Sequence, residues 1–254
     1  MPSIELLIVL FMVAAVAGWV DTLAGGGGLI TIPALLLSGM PPSMALATNK
    51  LQGSMGTLVA STYFIRKKFV SLREMKGMII LTLCGSVLGS WLVLQIDSSK
   101  LVLFLPFLLM AMGLYVLLSP SFNDEEKKRK LSILGFMLLM CPILGFYDGF
   151  FGPGTGSLMA LALVSLLGYG LSKATAQAKV LNFTSNIGSL LYFIVFGDIA
   201  WVIGATMVVG QLLGSTIAAR MVMTSGSKLI KPVVVTVCFV MSANVLLKNY
   251  GMLF

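Results

Sequence analysis

The chain has 254 residues, of which 58% are hydrophobic and only 10% charged, and its mean hydropathy is +1.02. Soluble domains carry about 25% charged residues, so a cytosolic enzyme, a nucleic-acid binder and a receptor with a folded ectodomain are all excluded. The net charge of +8, from 17 Lys and Arg against 9 Asp and Glu, reads in such a chain as loop charge that orients membrane spans.

A membrane helix needs about 20 apolar residues. The first apolar run covers 4–23. It contains Ala15-Val16-Ala17, which looks like a cleavage site, but Glu5 stands where a basic segment would precede it, so the run is read as a retained span. Runs at 29–40, 44–65, 77–96 and 101–119 follow. After the charged stretch 123–130 come 131–147, 156–171, 174–196, 199–222 and 229–247. Eight of the ten are long enough to span. The runs 29–40 and 156–171 are short and flanked by glycine, as thin crossings or re-entrant pieces are.

Charge sets the orientation. With ten crossings and the central loop in the cytoplasm, Arg66, Lys67, Lys68, Arg73, Lys76, the basic run 127–130, Arg220, Lys228 and Lys231 all lie inside. Only Lys100 and Lys248 lie clearly outside. Re-entrant short runs would move Arg220, Lys228 and Lys231 outside, against the positive-inside rule. The expected fold is therefore all-α: a polytopic membrane protein of about ten segments, eight long and two short or re-entrant, with both termini outside.

The chain also repeats itself. Ala45-Leu46-Ala47-Thr48-Asn49-Lys50 aligns with Ala174-Thr175-Ala176-Gln177-Ala178-Lys179, and Tyr63-Phe64-Ile65 with Tyr192-Phe193-Ile194. Upstream, Gly18-Trp19-Val20-Asp21 meets Gly145-Phe146-Tyr147-Asp148, and Gly25-Gly26-Gly27 meets Gly152-Pro153-Gly154. Downstream, Gly85 and Gly89 meet Gly210 and Gly214. Residues 1–120 form a first repeat, 121–130 a charged cytoplasmic linker and 131–254 a second repeat. Each repeat has an odd number of crossings, so the second sits upside down relative to the first. Inverted repeats with interrupted helices mark secondary transporters, whose site lies near the midplane where the repeats meet.

The residues with chemistry cluster at the interruptions. Asp21 and Asp148 end a span just before glycine, and a carboxylate costs roughly 2.5–3.5 kcal/mol at mid-bilayer. They are read either as caps or ion-pair partners or as proton or cation coupling groups. Lys50 and Lys179 attract an anion, or pair with Asp148 and Asp21 so that the four charges cancel. In that case the helix N-termini after the glycines supply the pull, or an aspartate takes up a proton. Gly25, Gly26, Gly27 and Gly28, with Gly152, Gly154 and Thr155, either approach a ligand with bare backbone or make a tight bend between helices. Asn49, Gln52 and Asn182 are candidate substrate contacts among polar residues that otherwise glue helices together. The G-x-x-x-G pairs need only close helix contact to explain them.

Other chemistries find no support. The chain has no His, which removes the commonest metal ligand and proton shuttle. Cys84, Cys141 and Cys238 are dispersed in apolar runs, against a disulfide framework or a metal site. No Walker motif is present. No metal, no cofactor and no enzymatic activity are expected.

The segment Trp19-Val20-Asp21-Thr22-Leu23-Ala24-Gly25-Gly26-Gly27-Gly28-Leu29-Ile30-Thr31-Ile32-Pro33 resembles the TauE/SafE sulfite-exporter family, in its YfcA-type branch of probable membrane transporters. Ala47-Thr48-Asn49-Lys50-Leu51-Gln52, Lys173-Ala174-Thr175-Ala176 and the stretch from Gly145 to Gly154 carry the same likeness, which covers nearly the whole chain. The resemblance implies a multi-pass carrier in the bacterial inner membrane for small sulfur-containing or organic anions: sulfite, thiosulfate, sulfonates or sulfoacetate. An anion channel is the alternative. The expected partners are the bilayer, the anion and, for a coupled carrier, protons. Nucleic acid is not among them, and a homodimer is left open.

Overall fold

A computed structural model describes residues 2–118 and 125–221. The expected last span 229–247, Cys238, Lys228, Lys231, Lys248 and part of the linker lie outside the described residues. Within them the chain is all helix, without a strand.

The helices are α1 (Ile4–Ala24), α2 (Gly28–Leu37), α3 (Pro42–Arg66), α4 (Leu72–Leu94), α5 (Ser98–Leu118), α6 (Ile133–Phe150), α7 (Thr155–Leu167), α8 (Leu171–Phe196) and α9 (Trp201–Met221). Their starts follow local chemistry. Ser3 caps α1 by accepting from the Leu6 N–H at 3.2 Å, and Ser132 caps α6 by accepting from the Gly135 N–H at 3.0 Å. Pro42 opens α3, where its missing donor costs nothing. A π-helical turn, Phe136–Met140, lies inside α6.

Among the described residues, five helices are long and apolar enough to cross a membrane: Ile4–Leu23, Leu72–Leu94, Ile133–Phe150, Leu171–Phe196 and Trp201–Ala219. The 25 residues of α3 are long enough, but its middle is polar and buried, from Thr48 and Asn49 through Lys50 and Gln52 to Thr57. Hydropathy alone therefore reads α3 less clearly than its flanks, because it packs inside the bundle. The two short helices have 10 and 13 residues. At 1.5 Å per residue they measure about 15 and 20 Å, short of the ~30 Å hydrocarbon layer.

The outer surface is apolar. Ile8 and Met12 on α1, Leu88 and Trp91 on α4, Leu139 and Ile143 on α6 and Leu191 on α8 all point outward. Polar side chains are turned inward instead, as hydrocarbon surroundings demand.

Packing crosses the two halves of the chain. Helix α1 lies along α9, and α4 lies along α6; α3 touches α9, α8 touches α4, and α3 meets α8 in the middle. Exchanging α1 with α6, α3 with α8 and α4 with α9 interchanges the first two of these contacts, interchanges the next two, and leaves α3–α8 as it is. Small residues make the close crossings. Gly85 and Gly89 sit against the backbone of Pro142, Phe146 and Phe150, while Gly210 and Gly214 sit against Phe11, Ala15 and Trp19. A side chain at any of these four glycines would collide with the facing backbone. Beside them, Ser90 donates to the Gly149 carbonyl at 3.2 Å and Ser215 to the Gly18 carbonyl at 3.3 Å.

Candidate functional site

Helix α1 stops where Gly25 turns left-handed, with φ +77°, and its N–H closes on the Asp21 carbonyl at 2.6 Å. Any side chain there is strained, and its Cβ would lie 2.5 Å from the backbone of Gly156 and Ser157 at the start of α7. The glycine is therefore needed twice, for its conformation and for a contact between the two breaks. In the second half, α6 gives way to α7 through Gly152 and Gly154, both left-handed, with φ of +96° and +76°. The Tyr147 hydroxyl donates to the Pro153 carbonyl at 2.7 Å, and Thr155 donates from Oγ1 to the Gly152 carbonyl at 2.7 Å. Those two bonds hold the second break in shape.

Each break carries one end of an ion pair to the other half. Lys50 of α3 places Nζ 3.0 Å from Asp148 Oδ2, and both side chains are 2% exposed. Lys179 of α8 places Nζ 3.4 Å from Asp21 Oδ2 and also donates to the Asp21 main-chain carbonyl. The other carboxylate oxygen, Asp21 Oδ1, accepts from the Gly27 N–H at 3.1 Å, which ties the end of α1 to the start of α2. Two charges of each sign are thus buried together and cancel. Lys50 Nζ and Asp148 Oδ2 have no hydrogen-bonding partner besides each other.

A narrow cavity lies between the breaks. From the first break, Asp21, Gly25, Gly27 and Gly28 reach it; from the second, Asp148, Gly152 and Gly154. Helix α3 adds Asn49, Gln52, Gly53 and Thr57, α8 adds Asn182 and Asn186, and α9 adds Gln211. Gly53 and Thr57 follow Lys50 by three and seven residues, as Asn182 and Asn186 follow Lys179, so the same positions of both halves form the wall. Asn49 Oδ1 accepts from Thr31 Oγ1 at 2.6 Å and from Gln52 Nε2 at 2.8 Å. Across the cavity, Asn186 Nδ2 donates to Asn182 Oδ1 at 2.8 Å. Gln52 Oε1 and Gln211 Oε1 are buried without a partner.

Both α2 and α7 begin at this wall. A helix N-terminus presents open N–H groups and roughly half a positive charge, which favours an anion. The lysines stand behind the carboxylates and do not line the cavity; nor do Gly26 and Thr155. Among the described residues no group of three His, Cys, Asp or Glu is placed to hold a metal.

Of the residues singled out in the sequence, Asp21, Gly25, Gly27, Gly28, Asn49, Gln52, Asp148, Gly152, Gly154 and Asn182 come together around the cavity. Gly53, Thr57, Asn186 and Gln211 join them without having been selected. Gln211 had a signal, a long amide side chain in the middle of an apolar run. Gly53 had none, since a glycine with no side chain lines a wall only through its position.

Residues 10–245 match the family described as sulfite exporter TauE/SafE. The chain is 54% identical over 242 residues to a probable membrane transporter protein of Haemophilus influenzae, with 95% of each chain covered. It is 50% identical over 251 residues to the probable membrane transporter protein YfcA of Escherichia coli strain K12, covering 99% of this chain and 93% of that one. The probable membrane transporter protein YunE of Bacillus subtilis is more distant, at 22% over 237 residues, 84% of this chain and 87% of that one. No solved structure matches.

Proposed function

This chain belongs to the TauE/SafE sulfite-exporter family of multi-pass membrane transporters, and from that premise we propose that it is a secondary carrier of small anions in a bacterial inner membrane. Sulfur-containing anions such as sulfite, thiosulfate, a sulfonate or sulfoacetate are the class it would take. One observation carries the reading: the broken helices of both halves meet at one narrow cavity, with the N-termini of α2 and α7 in its wall. The family description supplies the sulfur chemistry, and the narrowness of the cavity favours small solutes.

The halves are inverted repeats in this reading. Its support is the exchange of packing partners between them, together with the odd number of crossings expected in each. Within the site, Gln52 and Asn182 touch the anion, the glycine turns offer backbone N–H groups, and Lys50 and Lys179 act through the carboxylates that they neutralise.

The test uses purified protein in liposomes loaded with unlabelled thiosulfate. External radiolabelled thiosulfate should enter by counterflow and saturate, with Gln52→Ala weakening its apparent affinity by about tenfold, the loss of one hydrogen bond to a charged group. Unitary currents without counterflow would make the protein a channel. Absence of counterflow with thiosulfate, sulfite and sulfoacetate alike would remove the sulfur-anion reading.

A further inference from the structure

We infer that the two carboxylates of the site are not equivalent: Asp148 takes up and releases one proton with each anion carried, whereas Asp21 is a permanent anchor. The inference rests on the carrier reading above and assigns its coupling to one residue.

Asp21 is held on every side. Oδ1 accepts from the Gly27 N–H at 3.1 Å, Oδ2 faces Lys179 Nζ at 3.4 Å, and the same ammonium donates to the Asp21 carbonyl. A proton on this carboxylate would loosen the start of α2 and the end of α1 together. Asp148 has no such engagement at Oδ2. Its partner Lys50 is 1% exposed, and Nζ and Oδ2 have no partner besides each other. Buried opposite charges that lack supporting hydrogen bonds gain least from remaining charged. Neutralising the carboxylate here breaks one ionic contact at Oδ2 and no bond to the main chain.

The proton balance is simple. A proton from water adds to the Asp148 carboxylate, the ion pair opens, and Lys50 keeps its charge without a counter-ion. That ammonium stands directly behind the cavity wall, since a Cβ on Gly152 would lie only 2.9 Å from Nζ. An anion entering the cavity supplies the missing negative charge. When the anion leaves on the other side, Lys50 again favours the ionised carboxylate, the proton returns to water and the pair closes. One proton and one anion cross, and no residue is changed.

Few other charges surround Asp148. Helix α3 brings Lys50, and Asp21 of α1 lines the same cavity. Lys179 of α8 is engaged by Asp21. The face of α4 against α6 carries the neutral Thr82, Ser86 and Ser90, and α7 has no ionisable residue. Tyr147, the neighbour on α6, spends its hydroxyl proton on Pro153.

Thiosulfate is the probe, because it does not itself titrate near neutrality. Because one proton with one thiosulfate dianion carries a net negative charge, the membrane potential is clamped at zero with valinomycin and equal potassium; in such liposomes a gradient of one pH unit should raise its accumulation about tenfold in the native protein, the limit for one coupled proton. An internal pH dye should report one proton per thiosulfate. Asp148→Asn should reduce the accumulation ratio to one, whatever its exchange rate, whereas Asp21→Asn should lower the yield of folded protein and keep the ratio of the surviving carriers. The dye measurement needs no variant, so a poorly folding Asp148→Asn leaves the idea testable. Counterflow in the native protein with no response to pH, accumulation driven by sodium instead, or loss of coupling in Asp21→Asn alone would each overturn the assignment. Absence of counterflow in the native protein would instead strike the carrier reading beneath it.

Discussion

The crossings α1–α9 and α4–α6 are close copies of each other, whereas the ion pairs that those bundles enclose are not. At the crossings both halves use two glycines four residues apart and then a serine that reaches a glycine carbonyl on the facing helix. At the site, one lysine holds both a carboxylate and a main-chain carbonyl, and the other holds a carboxylate only. Backbone-to-backbone packing leaves no room for variation, so the scaffold stays symmetric. Side chains around a cavity are free to differ, and there the halves acquire separate tasks.

Breaking the ion pairs one at a time gives the largest expected effect. Removing one partner of a buried pair costs about 3–5 kcal/mol, because the other charge is left uncompensated. Lys179→Met should lie at the upper end, since it also removes a hydrogen bond to the Asp21 carbonyl and loosens the join between α1 and α2. Lys50→Met should cost less, because no main-chain hydrogen bond is lost with it. Thermal melting of the two variants in detergent measures the difference, and equal losses would mean that the two pairs are interchangeable.

The scaffold should respond in the opposite way, with equality. Gly89→Ala and Gly214→Ala each place a methyl group against a facing carbonyl, at Phe146 and Ala15 respectively. Overpacking of this kind costs about 1–3 kcal/mol. Both variants should lose similar stability in the same melting assay. A large effect at one crossing with none at the other would show that only one of them holds the halves together.

How far such differences were legible in the sequence depends on the residue. The order of glycines, aspartates and lysines identified the two breaks, because charged groups and glycine runs are costly inside apolar segments and stand out there. The divergence was partly legible as well: Asn49 stands where the second half has Ala178, and Gln52 where it has Leu181. Composition does not reveal depth or facing. The lysines look like cavity residues in the sequence, yet neither lines the cavity, and each meets a carboxylate that does. In α3 the polar residues are too evenly spread for periodicity to name the face that meets the cavity. Gln211 was passed over for the same reason, a single polar residue having no partner with which to define a face.

Gln211 supplies the smallest and most discriminating effect. It follows Gly210 as Ser86 follows Gly85, so the two occupy matching places in the repeat. Ser86 is satisfied within its own helix, donating to the Leu83 carbonyl at 2.8 Å. Gln211 instead lies against Gly56 of α3, 1% exposed, with Oε1 unpartnered at the cavity. An unpaired buried oxygen contributes nothing to the resting fold, so Gln211→Leu should leave the melting temperature of the empty protein unchanged or slightly raised. If the amide serves the anion, the stabilisation produced by thiosulfate should shrink, with an affinity loss of about tenfold, or roughly 1.4 kcal/mol. Ser86→Ala should alter neither quantity. A Gln211→Leu protein that melts earlier and binds thiosulfate normally would mark this side chain as a bond between α9 and α3, and the asymmetry of the site would then rest on the ion pairs alone.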